Sequence, residues 1–210
     1  MKELDLLKKN WKQREDSFAQ LTELEIYQML HKKSASIVRR ILIISILEVV
    51  FWTLVGFGFN TDTYFESVNL SNWSLVLEAL TYFNYGVILV FVYVLYTNYT
   101  QINTTLATKE LLGAILKTRK TVQYYVYYNL AWVLVSLLIG FGIGVFYNSE
   151  VASLSYKMAN NRGFLLLMLG VAIGTMAVFL GFFWLFYKIL YGSLLKGLLQ
   201  NYHELKKIDL

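Results

Sequence analysis

Glu48 lies inside an apolar run, ILIISILEVVFWTLVGFGF, at 41–59. Eight residues separate it from Arg40, which at 1.5 Å per helical residue puts it about 12 Å inside the nearer membrane edge. An ionisable group at that depth costs roughly 2.5–3.5 kcal/mol on insertion scales and has to face protein rather than lipid. Ser45, Glu48, Trp52 and Gly56 share one helical face. Asn129 sits at a similar depth in another apolar run, on a face with Val133, Ser136, Gly140 and Gly144. Two chemistries suit this pair. One is a proton or cation site built on Glu48. The other is a hydrogen-bonded carboxyl that locks helix packing, with Asn129 or a tyrosine as its partner.

Little else in the chain has the make-up of a reactive site. Glu78 falls about one turn inside the outer edge and can reach headgroup water. The two histidines, His31 and His203, lie outside the apolar runs. Two histidines without cysteine do not make a usual zinc or non-haem iron site. The absence of cysteine also removes disulfides and a catalytic thiol. The residues therefore call for no catalytic constellation, no metal and no cofactor, and the balance is against an enzyme.

The elements that carry these residues are four apolar runs at about 41–59, 75–96, 122–146 and 164–187. Each has the roughly 20 residues needed to cross about 30 Å of hydrocarbon. The chain has no proline in 210 residues, which suits long unbroken helices and argues against the broken helices of many transporters. The expected fold is an all-α integral membrane protein, four transmembrane helices with cytoplasmic helical extensions. The expected divisions are amphipathic helices over 1–40, the membrane bundle over 41–187 and a helical tail over 188–210.

Charge orients the runs. Of the 19 Lys and Arg residues, nine precede the first run, four lie between the second and third, four follow the fourth, and only Lys157 and Arg162 fall elsewhere. The positive-inside rule then places both termini and the middle loop in the cytoplasm of a bacterial inner membrane. The first 40 residues are charged and lack an early apolar stretch, so the first run is expected to act as its own signal-anchor. The net charge of +5 marks membrane edges, and no nucleic-acid partner is expected.

Three amphipathic segments gather on the basic side. Leu4, Leu7, Trp11, Phe18 and Leu21 keep near-heptad spacing, and Thr22 with Glu25 forms a capping box that opens a second helix. Tyr99, Ile102 and Leu106 continue the second run, while Leu111, Leu112, Ile115 and Leu116 lead into the third. Tyr191, Leu195, Leu198, Tyr202 and Leu205 form a four-three-four-three seam. These stripes predict a helical bundle under the membrane. They also suggest a cytoplasmic protein partner with a role in regulation or assembly.

Gly140 with Gly144, and Gly170 with Gly174 continued by Gly181, form small-residue stripes in the third and fourth runs. Such stripes let helices approach closely in lipid. They predict packing between those runs, with homo-oligomerisation as the alternative. Tyr93, Tyr96, Tyr99, Tyr124, Tyr125, Tyr127 and Tyr128 read as an aromatic belt at the inner interface.

The start, ELDLLKKNWKQRE followed by LTELEIYQMLHKKSASIVRRILIISILEVVFW, and the end, LYGSLLKGLLQNYHELKKID, resemble a group of uncharacterised bacterial four-span proteins. Some members carry the label beta-carotene 15,15'-monooxygenase. That label implies an oxygenase holding iron on histidines, of which this chain offers only His31 and His203. The short N-terminal helices before a span are also similar in layout to membrane anti-sigma factors.

Overall fold

Thr22 and Glu25 close the capping box that begins the first helix. The Thr22 amide donates to the Glu25 carboxylate at 2.8 Å, and the Glu25 amide donates back to the Thr22 hydroxyl at 3.3 Å. The backbone bond, aided by the Thr22 hydroxyl, holds the Glu25 carboxyl below its usual range. The helix so capped, α1, runs Glu23–Gly58 without a break.

The computed structural model describes residues 22–58, 71–104, 107–146 and 152–208. The Leu4 to Leu21 stripe and Leu106 lie outside the described residues. Four further helices follow: α2 over Ser71–Thr104, α3 over Thr108–Phe146, α4 over Ala152–Asn160 and α5 over Arg162–Ile208. Asn161 separates the last two. Its side-chain oxygen accepts the Phe164 amide at 3.2 Å and caps α5.

Among the described residues three helices are long and apolar enough to cross a membrane, lying within α2, α3 and α5. The apolar stretch of α1 directly follows Arg39 and Arg40 and contains Glu48. Both α1 and α5 pass through the expected edges at 40/41 and 187/188 as uninterrupted helix.

The long helices form a ring in the order α1, α2, α3, α5, each touching its two neighbours, with a lighter diagonal contact between α1 and α3. Neighbours run antiparallel, so the ring has two chemically different ends. The basic end carries Thr22, Thr104, Thr108 and Ile208. The far end carries Gly58, Ser71 and Phe146.

The core sits in the basic half. Val38 and Ile41 of α1, Ile102 of α2, Leu111 of α3, and Leu198 and Leu205 of α5 are fully buried in one cluster. The α2–α3 hairpin stripe and the α5 seam predicted from sequence thus cover one another. Two buried amides tie helices together at this level. Asn201 donates to Ser34 at 3.1 Å between α5 and α1, and Asn98 donates to Thr121 at 3.4 Å between α2 and α3. Towards the far end apolar side chains point outwards, such as Leu166, Ile173 and Val178, each more than 60% exposed. This is a surface suited to lipid contact.

The small-residue stripes require a correction. A Cβ added at Gly140, Gly144, Gly170, Gly174 or Gly181 meets nothing within 4 Å. These glycines do not seat α3 against α5 within the chain, because those two helices meet through larger side chains nearer the basic end. The close approach falls instead at Gly197, where a Cβ would stand 3.2 Å from Ile37 Cδ1. Gly197→Ala is expected to be near neutral, since the gain of about 1 kcal/mol in helix propensity offsets a small shift of Ile37. Gly197→Leu is expected to wedge α5 from α1 and to lower stability by about 1–3 kcal/mol. Thermal unfolding of both variants in detergent checks the contrast, and equal midpoints would count against this contact.

Candidate functional site

Glu48 has three tyrosine hydroxyls as partners. Tyr187 donates to one carboxylate oxygen at 2.6 Å. Tyr125 and Tyr191 donate to the other at 3.0 and 2.9 Å. The side chains come from three helices, and helical spacing explains each contribution. Ser45 and Glu48 stand three residues apart on α1, Tyr125 and Asn129 four apart on α3, and Tyr187 and Tyr191 four apart on α5. The tyrosine rings also brace one another. Tyr187 stacks on Tyr191 at 6.2 Å, and Tyr125 meets Tyr191 edge-on at 6.1 Å.

Both Glu48 oxygens serve as acceptors for the three converging hydroxyls. The Ser45 hydroxyl lies 3.1 Å from that of Tyr191 and 3.0 Å from the Ile41 carbonyl, so it can extend the chain of donors by one member.

On the far side of this cage lies a cavity of about 240 Å³. Glu48 and Tyr187 form its floor. From there the lining climbs each helix towards the far end: to Trp52 on α1, Tyr85 and Thr81 on α2, Trp132 on α3 and Phe183 on α5. Among the described residues no lysine, arginine or histidine lines it, so none of them offsets the single carboxyl group within the cavity.

Asn129 also lines the cavity, so both intramembrane polar residues singled out by sequence meet there. Of the two partners expected for Glu48, Asn129 or a tyrosine, the tyrosines take the place, and the Asn129 amide donates to the Tyr125 carbonyl at 2.9 Å. Asn84, the polar residue in the second run, accepts from Tyr128 at 3.0 Å and joins α2 to α3 beside the cavity.

The aromatic belt divides in two. Tyr93, Tyr96, Tyr124 and Tyr127 are exposed on the outside of the ring, while Tyr125 is 1% exposed and serves the carboxylate. Tyr187 and Tyr191 had no such role in the sequence reading, where Tyr191 served only as a seam residue. Their signal was present: two tyrosines four apart at the depth where a membrane glutamate needs donors.

Other candidates lie apart from the cage. Glu78 is exposed. Lys188 places its ammonium 4.5 Å over the Trp184 ring, so it has an aromatic partner as well as access to the interface. His31 packs beside Tyr27 and lies about 25 Å along α1 from Glu48. His203 lies beside Tyr202 on the exposed side of α5. Among the described residues no three His, Asp or Glu side chains gather as a metal would need.

Residues 24–210 match a family described as Domain of unknown function (DUF8845). No curated protein and no solved structure matches the chain.

Proposed function

The chain belongs to the DUF8845 family over nearly its whole length, and we propose that it is a four-span membrane protein that binds a cation at Glu48, as the solute site of a small carrier. One observation carries this reading. A buried carboxyl group, held by three hydroxyl donors, forms the floor of a cavity lined by no basic residue among those described. Intramembrane carboxylates are costly and tend to mark ion or substrate paths.

The reading takes α1 as the fourth span, and the contacts of that helix with both α2 and α5 in the ring support it. The charge asymmetry of 17 basic residues against two then puts the basic end in the cytoplasm of a bacterial inner membrane. The cavity would open towards the outer face, with the packed half of the bundle closing it from inside. The chain lacks cysteine, so single-cysteine labelling has no background. Lys120→Cys is expected to react only from the cytoplasmic side and Tyr156→Cys only from the outside. The reverse pattern would overturn the orientation.

A cytoplasmic platform that recruits a protein partner is the competing reading. The apolar stripes of α2, α3 and α5 that suggested it are covered by one another in the core, which favours solute binding, while the Leu4 to Leu21 stripe lies outside the described residues.

Dicyclohexylcarbodiimide, an apolar reagent that reacts with carboxyls inside membranes, tests the site in purified protein. Labelling is expected at Glu48, slowed by an added cation and abolished in Glu48→Gln. Labelling that neither inorganic nor organic cations slow would rule out a cation site and leave Glu48 as a packing residue.

A further inference from the structure

Building on the cation reading of Glu48, we infer that the cavity takes a compact organic ammonium, an alkylated amine with an apolar body. Three properties of the cavity select this class over a bare metal ion.

The first is the wall. Six of the thirteen lining residues are aromatic: Trp52, Tyr85, Tyr125, Trp132, Phe183 and Tyr187. Aromatic faces attract an ammonium through the ring quadrupole, tryptophan most strongly, and recognition of alkylated ammonium by aromatic cages is their common use. Hard metal cations instead need several oxygen ligands. Here the one carboxylate already accepts three hydroxyls.

The second is the sign. With no basic residue among the described residues of the lining, a cationic ligand would be the partner for an ionised Glu48. The third is the size. About 240 Å³ is far more than a single water or bare ion needs and lies just below the usual span of small-molecule sites. Thr81, Asn84 and Asn129 add a few polar contacts to an otherwise apolar wall, as in sites that orient small molecules.

Benzyltrimethylammonium is the probe, and neopentylbenzene is its neutral isostere. Isothermal titration of the purified chain in maltoside detergent is expected to give saturable binding of the ammonium and none of the isostere. Glu48→Gln is expected to weaken binding at least about 10-fold, while Glu48→Asp retains part of it. Trp132→Leu is expected to weaken it roughly 3- to 30-fold. Far-UV circular dichroism confirms that the variants are folded, and Glu48→Asp keeps the charge if Glu48→Gln is unstable.

Equal binding of the isostere, or unchanged affinity in folded Glu48→Gln, would overturn the inference. If only sodium or potassium protects Glu48 from carbodiimide, the organic ligand is wrong and the cation site stands. If no cation protects it, both fall. The same ammonium chemistry occurs on a phosphatidylcholine headgroup. In phosphatidylglycerol vesicles, displacement of the probe by added phosphatidylcholine assigns the site to a headgroup, and retention assigns it to a free amine.

Discussion

Glu48→Ala is expected to lower the unfolding free energy in detergent by about 2–6 kcal/mol. The substitution removes the acceptor of three hydroxyls at once. Tyr191 can turn to Ser45, 3.1 Å away. Tyr125 and Tyr187 are 1% and 4% exposed, so each loses a buried acceptor. A buried donor left without a partner costs about 1–3 kcal/mol, which sets the range for two. Glu48→Gln retains a carbonyl oxygen and is expected to cost less than half as much. The 2.6 Å bond from Tyr187 makes Tyr187→Phe the complementary test, with an expected loss of about 1.5–3 kcal/mol for a hydrogen bond to a charged group. The double variant Glu48→Ala/Tyr187→Phe should then be more stable than the sum of the two losses predicts, because it removes donor and acceptor together. Reversible unfolding followed by circular dichroism measures all four proteins. Strict additivity would mean that the cage does not act as a unit.

The second large effect lies in the core of the basic half. Leu198→Ala is expected to cost about 2–5 kcal/mol. Leu198 is 0% exposed and belongs to the cluster that holds α5 against its neighbours. Leu166→Ala, on the same helix but 68% exposed, is expected to stay within about 0.5 kcal/mol of the parent. Lipid tails are as apolar as leucine, so truncating a lipid-facing side chain leaves little unmet. Thermal unfolding of both variants in one detergent makes the comparison. A Leu166 loss as large as that at Leu198 would place the stability of the bundle in the membrane half instead.

These two experiments address different questions about Glu48. Stability loss on its removal follows from the tyrosine cage whether the residue serves packing or solute. Protection by a cation follows only from a binding site. A destabilised Glu48→Ala without cation protection would therefore support the packing role alone.

Much of the architecture was legible before any coordinates. Run length and composition disclosed the apolar segments, and Thr22 with Glu25 marked the start of α1 because a capping box is a local device. The seam through Tyr191, Leu198 and Leu205 was legible because burial on one helical face repeats every three or four residues. The depth of Glu48 and its need for protein partners followed from counting residues and from the cost of charge in hydrocarbon.

The glycines show where such reasoning stops. Gly170 and Gly174 have the spacing of a packing motif, yet they face open space, whereas isolated Gly197 lies under Ile37. A small residue permits close approach but cannot specify which helix approaches. The same limit applied to the tyrosines. Tyr124 and Tyr125 are neighbours of identical chemistry, one 64% exposed and the other 1%.

Sequence by itself pointed to the membrane class, the basic end of the bundle and the need of Glu48 for a protein partner. Those properties depend on composition and on rise per residue along one helix. Tertiary structure alone decided that Tyr125, Tyr187 and Tyr191 supply the donors and that Asn129 does not, and it opened the cavity beside them. Helical periodicity sets which residues share a face. The rotation and register of α3 and α5 against α1 set which faces meet, and those depend on packing between residues more than 70 positions apart.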